Sequence, residues 1–187
     1  MIVTWRSALR VALLILLFVV LQNVFFSQVE LLGAPIWILP ACAAIFGLLG
    51  GSLVGATVGF ALGFLADGLG DSPLGSASLI FMGVGYLAGA YRERGERPDR
   101  STILGICGLS TAAANLTLGL YTVLVGFDAA VSPSFLPDLL LQAVYGVLLA
   151  LPIHALIHRV LRPALIHEEP VRRRRRTRGL DPEGAER

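Results

Sequence analysis

Residues 36–66 read IWILPACAAIFGLLGGSLVGATVGFALGFLA, 31 residues without a charge. A helix that crosses a bilayer needs about 20 apolar residues, within a range of about 17–25, so this run is too long for one span. The cluster from Gly47 to Ser52, GLLGGS, offers a break, because glycine is a poor helix former. The stretch therefore reads as two short helices, 36–49 and 51–67.

Composition supplies the setting. The chain of 187 residues is 55% hydrophobic and 15% charged, with a mean hydropathy of +0.74, against roughly 25% charged residues in a soluble domain. This composition predicts an all-α integral membrane protein. Other apolar runs predict spans at 8–26, 75–91, 101–126 and 137–160. With the split of 36–66, a six-helix transmembrane domain covers residues 1–161 and an arginine-rich tail covers 162–187.

Charge tests the split. All 15 basic side chains are arginine: Arg6 and Arg10 precede the first span, Arg92, Arg94, Arg97 and Arg100 fall in one loop, and the rest run from Arg159 onward. Six spans put every arginine on the side of both termini, as the positive-inside rule requires. Five spans would put the 92–100 loop and the tail outside. The outer segments then hold only the acids Glu30, Asp67, Asp71, Asp128 and Asp138. The expected topology is multi-pass, with both termini cytoplasmic.

The first run starts as a signal peptide would, but its length suits a span and no small-x-small cleavage site follows. It reads as an uncleaved helix. Trp5, Trp37 and Tyr91 fall near span ends, where amphipathic rings are enriched. Cys42 and Cys107 sit inside apolar spans and read as packing residues. The tail is charge-dense and proline-punctuated and is expected to be disordered. Its run Arg172, Arg173, Arg174, Arg175 and Arg176 is expected to meet anionic membrane lipids, at about 1 kcal/mol per residue; no nucleic acid is expected as a partner.

Within the third span Gly51, Gly55, Gly59, Gly63 and Asp67 recur at four-residue spacing, which stacks them on one helical face. In lipid, close backbone approach at small residues supplies the helix contact that burial supplies in water. The stripe reads as internal packing or as a partner face. Ala77, Gly85 and Gly89 of the next span form a second small-residue stripe for it to meet. Asp67 reads as an acid that ties down the following turn through backbone N–H groups, or as a contact for an extracytoplasmic partner. Pro73 and Gly75 suit a tight turn.

Two polar stripes, Cys107, Thr111, Asn115 and Gly119 in the fifth span and Gln142, Gly146, Ala150, His154 and His158 in the sixth, predict interhelical hydrogen bonds. His154 and His158 have metal-pair spacing without a third ligand. A serine–histidine dyad of Ser76 or Ser78 with His154 fails on depth, since six spans separate them by roughly 20 Å and a base must lie within about 3 Å of its nucleophile. No catalytic residue, cofactor or metal site is expected.

The stretch GFALGFLADGLGDSPLGSASLIFMGVGYLAG, residues 59–89, resembles the central signature of the bacterial rod shape-determining MreD family. The likeness lies in a glycine-spaced helix, an acid, a turn with Pro73, Leu74 and Gly75, and a helix carrying Gly85, Tyr86 and Gly89. Length, span count and topology are consistent with that family over 1–160. The resemblance implies a non-enzymatic component of the lateral cell-wall elongation machinery, contributing to peptidoglycan synthesis. Its implied partners are MreC, a RodA-type glycosyltransferase and a class B penicillin-binding transpeptidase. The implied fold is similar to the six-helix substrate-binding subunits of energy-coupling-factor vitamin transporters, which supply the alternative function. Ala8 and Ala12 match part of a small-residue pattern in the first helix of those subunits. The short 27–34 and 128–136 loops carry few groups able to recognise a polar vitamin.

Overall fold

The computed structural model describes residues 5–28, 30–31, 34–69, 75–95, 98–125 and 135–165. Six α-helices dominate them: α1 (Trp5–Val24), α2 (Leu39–Gly50), α3 (Ser52–Leu69), α4 (Ser76–Glu93), α5 (Arg100–Val125) and α6 (Phe135–Leu165). A short 3-10 turn, Phe26–Gln28, follows α1. A two-residue antiparallel ribbon, β1 (Glu30–Leu31) with β2 (Ala34–Pro35), lies between it and α2. Composition did not anticipate the ribbon. Three helices hold segments long and apolar enough to cross a membrane: Ser52–Leu69, Arg100–Tyr121 and Pro137–Val160.

The long apolar run does break. α2 ends at Gly50 and α3 begins at Ser52, with Gly51 between them at φ +92°. A side chain there would strain the backbone, so glycine permits the kink. Gly51 N–H still donates to Gly47 O at 2.8 Å, and its carbonyl accepts from Gly55 N–H at 2.9 Å. The chain thus changes direction without abandoning its hydrogen bonds.

Two boundaries differ from the sequence reading. Residues 36–38 are not helical, and α2 starts at Leu39. Pro40 stands in its first turn, where a missing N–H leaves no helical bond unmade. At the other end α6 continues to Leu165, so the tail does not begin at 162. Leu161, Ala164 and Leu165 favour helix, and Pro163 removes only one bond near its end.

α2 is the centre of the molecule. Leu39 through Leu48 are all buried, and α3, α4, α5 and α6 pack around it, with α1 on α3 and α6. A helix apolar on every side belongs inside a larger bundle. Its small residues Ala41, Cys42, Ala43 and Ala44 are fully buried with Ile45 and Phe46. Leucines of α1, α5 and α6, such as Leu13, Leu109 and Leu148, face outward.

The non-helical segment before α2 is tied to α1. Gln22, buried in the last turns of α1, donates from Nε2 to Ile36 O and accepts at Oε1 from Ile38 N–H, both at 2.9 Å. One amide thereby replaces the bonds a helix or sheet would have made, where buried backbone groups need partners.

Candidate functional site

The residues that the sequence singled out converge on the α3–α4 pair, which forms the most extensive helix contact of the molecule. The glycine stripe of α3 faces α4 directly. A Cβ on Gly55 would overlap Gly85 O, and one on Gly85 would overlap Gly55 O. A Cβ on Gly59 would overlap the Phe81 carbonyl, one on Gly63 the Ser78 backbone, and one on Gly89 the backbone of Gly51 and Ser52. The obstacle is main chain each time, so the two helices are in backbone contact along the stripe. The glycines face a neighbouring helix of the same chain and leave no room for a further partner there.

Gly47 of α2 joins this contact, since its Cβ would meet Gly85 O and Gly89 N. The spacing that marked Gly51 to Gly63 reaches Gly47 as well, one step upstream across the break. Three helices meet at these glycines, with Trp37 packed edge-on against Phe81 beside them, ring centroids 6.1 Å apart.

Asp67 ends the stripe and is 3% exposed. Its Oδ2 accepts from Gly75 N–H at 2.9 Å, Ala77 N–H at 3.1 Å, Ser78 N–H at 3.3 Å and Ser78 Oγ–H at 3.2 Å. These are groups of the first turn of α4, which has no intrahelical acceptors. Gly75, at φ +100°, is the N-cap residue and has no side chain to cap with. Asp67 supplies the missing cap from the neighbouring helix. The Ser78 hydroxyl is thus engaged with Asp67. Pro73, Leu74 and the arginines from Arg172 to Arg176 lie outside the described residues.

The opposite end of the pair is closed by residues the sequence reading did not single out. Glu93, the last residue of α4, accepts at Oε1 from Ser52 N–H and Ser52 Oγ–H, both at 2.8 Å. Ser52 opens α3. Glu93 lies beyond the expected span 75–91, and the hydrogen bonds from the Ser52 backbone and hydroxyl hold its carboxyl below the ordinary value of 4.5. Its neighbour Arg92 donates from Nη1 to Leu49 O, a carbonyl at the end of α2 that the helix leaves unpaired. Arg92 and Glu93 therefore clasp both sides of the Gly51 break. The available signal was two charged residues ending a helix while a serine begins another just after a double glycine.

On α5 the polar stripe bonds within its own helix. Thr111 Oγ1 donates to Cys107 O at 2.9 Å and Asn115 Nδ2 to Thr111 O at 2.8 Å. The two stripes also approach closely, because a Cβ on Gly146 would overlap Thr111 Oγ1. His154 and His158 stack with centroids 5.8 Å apart, and no metal-sized group of three His, Cys, Asp or Glu occurs among the described residues. An open apolar groove of about 470 Å³ runs between α5 and α6, floored by Gly105, Gly108, Ala112 and Ala143. Tyr86 faces away from the α3 contact and is 53% exposed.

Chemically the α3–α4 pair holds helices together, and the hydroxyls of Ser52 and Ser78 are each engaged with a carboxylate that caps the neighbouring helix. Neither the curated proteins nor the solved structures include a match to this sequence. A family model, however, described as rod shape-determining protein MreD, matches residues 4–160 and so spans α1 to most of α6. That family is defined by a role in rod-shape determination and is not known as an enzyme family. With its glycine-packed helix pair and acid-capped turn inside the matched region, this chain belongs to the MreD family.

Proposed function

We propose that this chain is a non-enzymatic scaffold of the lateral cell-wall elongation machinery in the bacterial inner membrane, contributing to rod shape and peptidoglycan synthesis. The observation that carries the reading, within this family, is the filled centre of the bundle. Every residue from Leu39 to Leu48 is buried, so the middle of the bundle is filled by the side chains of α2. A bundle packed at its centre suits a part that positions others.

In this reading all six helices cross the membrane and both termini are cytoplasmic. α2, at 12 residues, is about 18 Å long and falls short of the roughly 30 Å hydrocarbon layer. The non-helical residues 36–38 lengthen the segment, with Ile38 already in the αR region as the N-cap of α2. Non-helical backbone is tolerated at that depth only where protein covers it. Ile36 and Ile38 are buried, and Gln22 satisfies their backbone.

The partners proposed are MreC, a RodA-type glycosyltransferase and a class B penicillin-binding transpeptidase, with anionic lipid at Arg172 to Arg176. The test is copurification of the full chain from native membranes, followed by mass spectrometry. Recovery of MreC with the two wall-synthesis enzymes is expected. Recovery of an energising ATPase pair in their place would overturn the reading in favour of vitamin uptake.

A further inference from the structure

We propose that the groove between α5 and α6 holds one acyl chain of an anionic phospholipid of the cytoplasmic leaflet, with the lipid phosphate against the basic residues at the groove's cytoplasmic end. The inference rests on the six-span placement proposed above and is independent of the wall-synthesis role.

The groove has a volume of about 470 Å³, and every residue lining it is apolar. Its walls Leu109, Leu140 and Val144 are each more than half exposed, so it opens to the surroundings of the bundle. Gly105 on its floor is exposed, and a Cβ there would meet no atom within 4 Å. Glycine is a poor helix former, and packing within the chain does not require this one. It keeps the groove deep.

Charge gives the groove a direction. On α6 the wall residues Leu140, Val144 and Val147 continue, at three- and four-residue steps, through Leu151 to His154, His158 and Arg162. Such steps keep one helical face, so the face turns from apolar to basic along its length. His154 and His158 stack on it, and His158 is exposed. Ionisable side chains within a span ordinarily face a bundle interior or a water-filled cavity; this pair instead prolongs an outward groove. On α5 the floor continues from Gly105 to Ser101, beside exposed Arg100.

The two basic ends lie at one depth. Gly108 packs against Val147, and Gly146 against Thr111 and Cys107. Arg100 precedes Gly108 by eight residues and His154 follows Gly146 by eight, so each stands about 12 Å nearer the cytoplasmic end. Arg100 and Arg159 are exposed, and neither has an ion pair with another described residue. The neighbouring acid Asp99 accepts from Ser101 Oγ–H. At the opposite end the first turn of α6 holds Asp138, and the last turn of α5 holds no base.

An anionic phospholipid has the same polarity over the same distance, with its tail in the hydrocarbon and its negative charge at the interface. Imidazole and guanidinium N–H groups both donate to phosphate oxygens, and basic pockets between membrane helices on the cytoplasmic side take such head groups. A partner helix laid in the groove would have to bring an acid of its own to that level.

The test reconstitutes the full chain in phosphatidylcholine vesicles with a trace of phosphatidylglycerol carrying a photoactivatable acyl chain, or of phosphatidylcholine carrying the same chain. Mass spectrometry of peptides then locates the label. The phosphatidylglycerol probe should favour 105–112 and 140–147 over exposed Leu16 and Leu17 of α1, and should exceed the phosphatidylcholine probe in the groove. Arg100→Gln and Arg159→Gln should each lower its groove labelling about fivefold, the worth of one basic residue at an anionic lipid surface, at an unchanged melting temperature. The double variant His154→Gln with His158→Gln should also lower it. Gly105→Leu should abolish groove labelling by filling the groove, whereas Gly83→Leu, equally free of neighbours on α4, should not. The proposal is overturned if the two probes label the groove equally, if the groove is labelled no more than α1, or if the arginine variants have no effect. Groove labelling in vesicles that disappears in native membranes would assign the groove to a protein and overturn it as well. The vesicles hold no wall-synthesis enzyme, so none of these outcomes depends on that role.

Discussion

Asp67 and Glu93 close the two ends of one antiparallel helix pair, each carboxylate accepting hydrogen bonds from the first turn of the other's helix. An acid in the last turn of its own helix is unfavourable, because the C-terminus carries partial negative charge. Each acid lies beside the positive N-terminus of its neighbour instead. A slip of one turn between α3 and α4 would break both caps, whereas a stripe that repeats every four residues would still offer glycines to α4. The caps therefore fix the alignment that the stripe permits.

Gly59→Leu should lower the chain level in membranes and the melting temperature in detergent. Overpacking typically costs about 1–3 kcal/mol, and here the obstacle is the Phe81 carbonyl, which cannot rotate away. Phe60→Leu is the matched control, since Phe60 is 44% exposed; Val58 is buried and unsuited. An unchanged melt for Gly59→Leu would refute backbone contact at the stripe.

Asp67→Asn keeps the shape and removes the charge. The loss expected is about 1–3 kcal/mol, the range for a hydrogen-bonded buried group deprived of its partner, read as reduced thermal stability. Faster amide hydrogen exchange at Ala77 and Ser78 would locate the loss at the start of α4. Wild-type protection at those amides would show that Asp67 is not the cap.

The Glu93 cap has a pH signature. Its carboxyl titrates below 4.5 in the folded protein, so the unfolded chain takes up a proton first as pH falls. The stabilisation is present above 4.5 and is lost as pH drops through the lower folded value. Glu93→Gln should show a shallower decline than the wild type below pH 4.5, measured as melting temperature in detergent. Parallel pH profiles would sink the assignment.

Gln22→Leu should leave Ile36 O and Ile38 N–H without partners, costing about 1–3 kcal/mol for each unsatisfied group. The variant keeps α1 apolar, so a wild-type melt could not be blamed on poor packing. It would mean that the segment before α2 is held by something other than Gln22.

Fusions after Asp71 and within 128–136 should be active only with an extracytoplasmic reporter, whereas fusions near Gly95 and after Arg187 should favour a cytoplasmic one. An extracytoplasmic signal at Gly95 would refute the six-span topology.

The helices and the break at Gly51 were legible because they depend on local composition. Apolar runs have lengths that can be counted, and adjacent glycines interrupt them. The α3 stripe was legible as a periodicity, yet its partner was not. Four-residue spacing says which residues share a face; it does not say what that face meets. The likeness over residues 59–89 pointed to the family, but Tyr86 in that signature looks outward while Gly85 beside it looks in, a distinction made by the rotation of α4 about its axis.

Six helices, their order and the glycine face that ends on Asp67 follow from residue order alone, since hydropathy and helical period are properties of neighbours along the chain. Packing in three dimensions makes Leu39 to Leu48 the buried centre, sets Gln22 against Ile36 and Ile38, and brings Glu93 to cap α3. Gln22 lies 14 and 16 residues from its partners and Glu93 lies 41 from Ser52. A polar side chain at such separation has no period or spacing to announce its partner. Its bond exists because packed helices bring an unpaired backbone group within about 3 Å of it, where leaving that group unsatisfied would be costly.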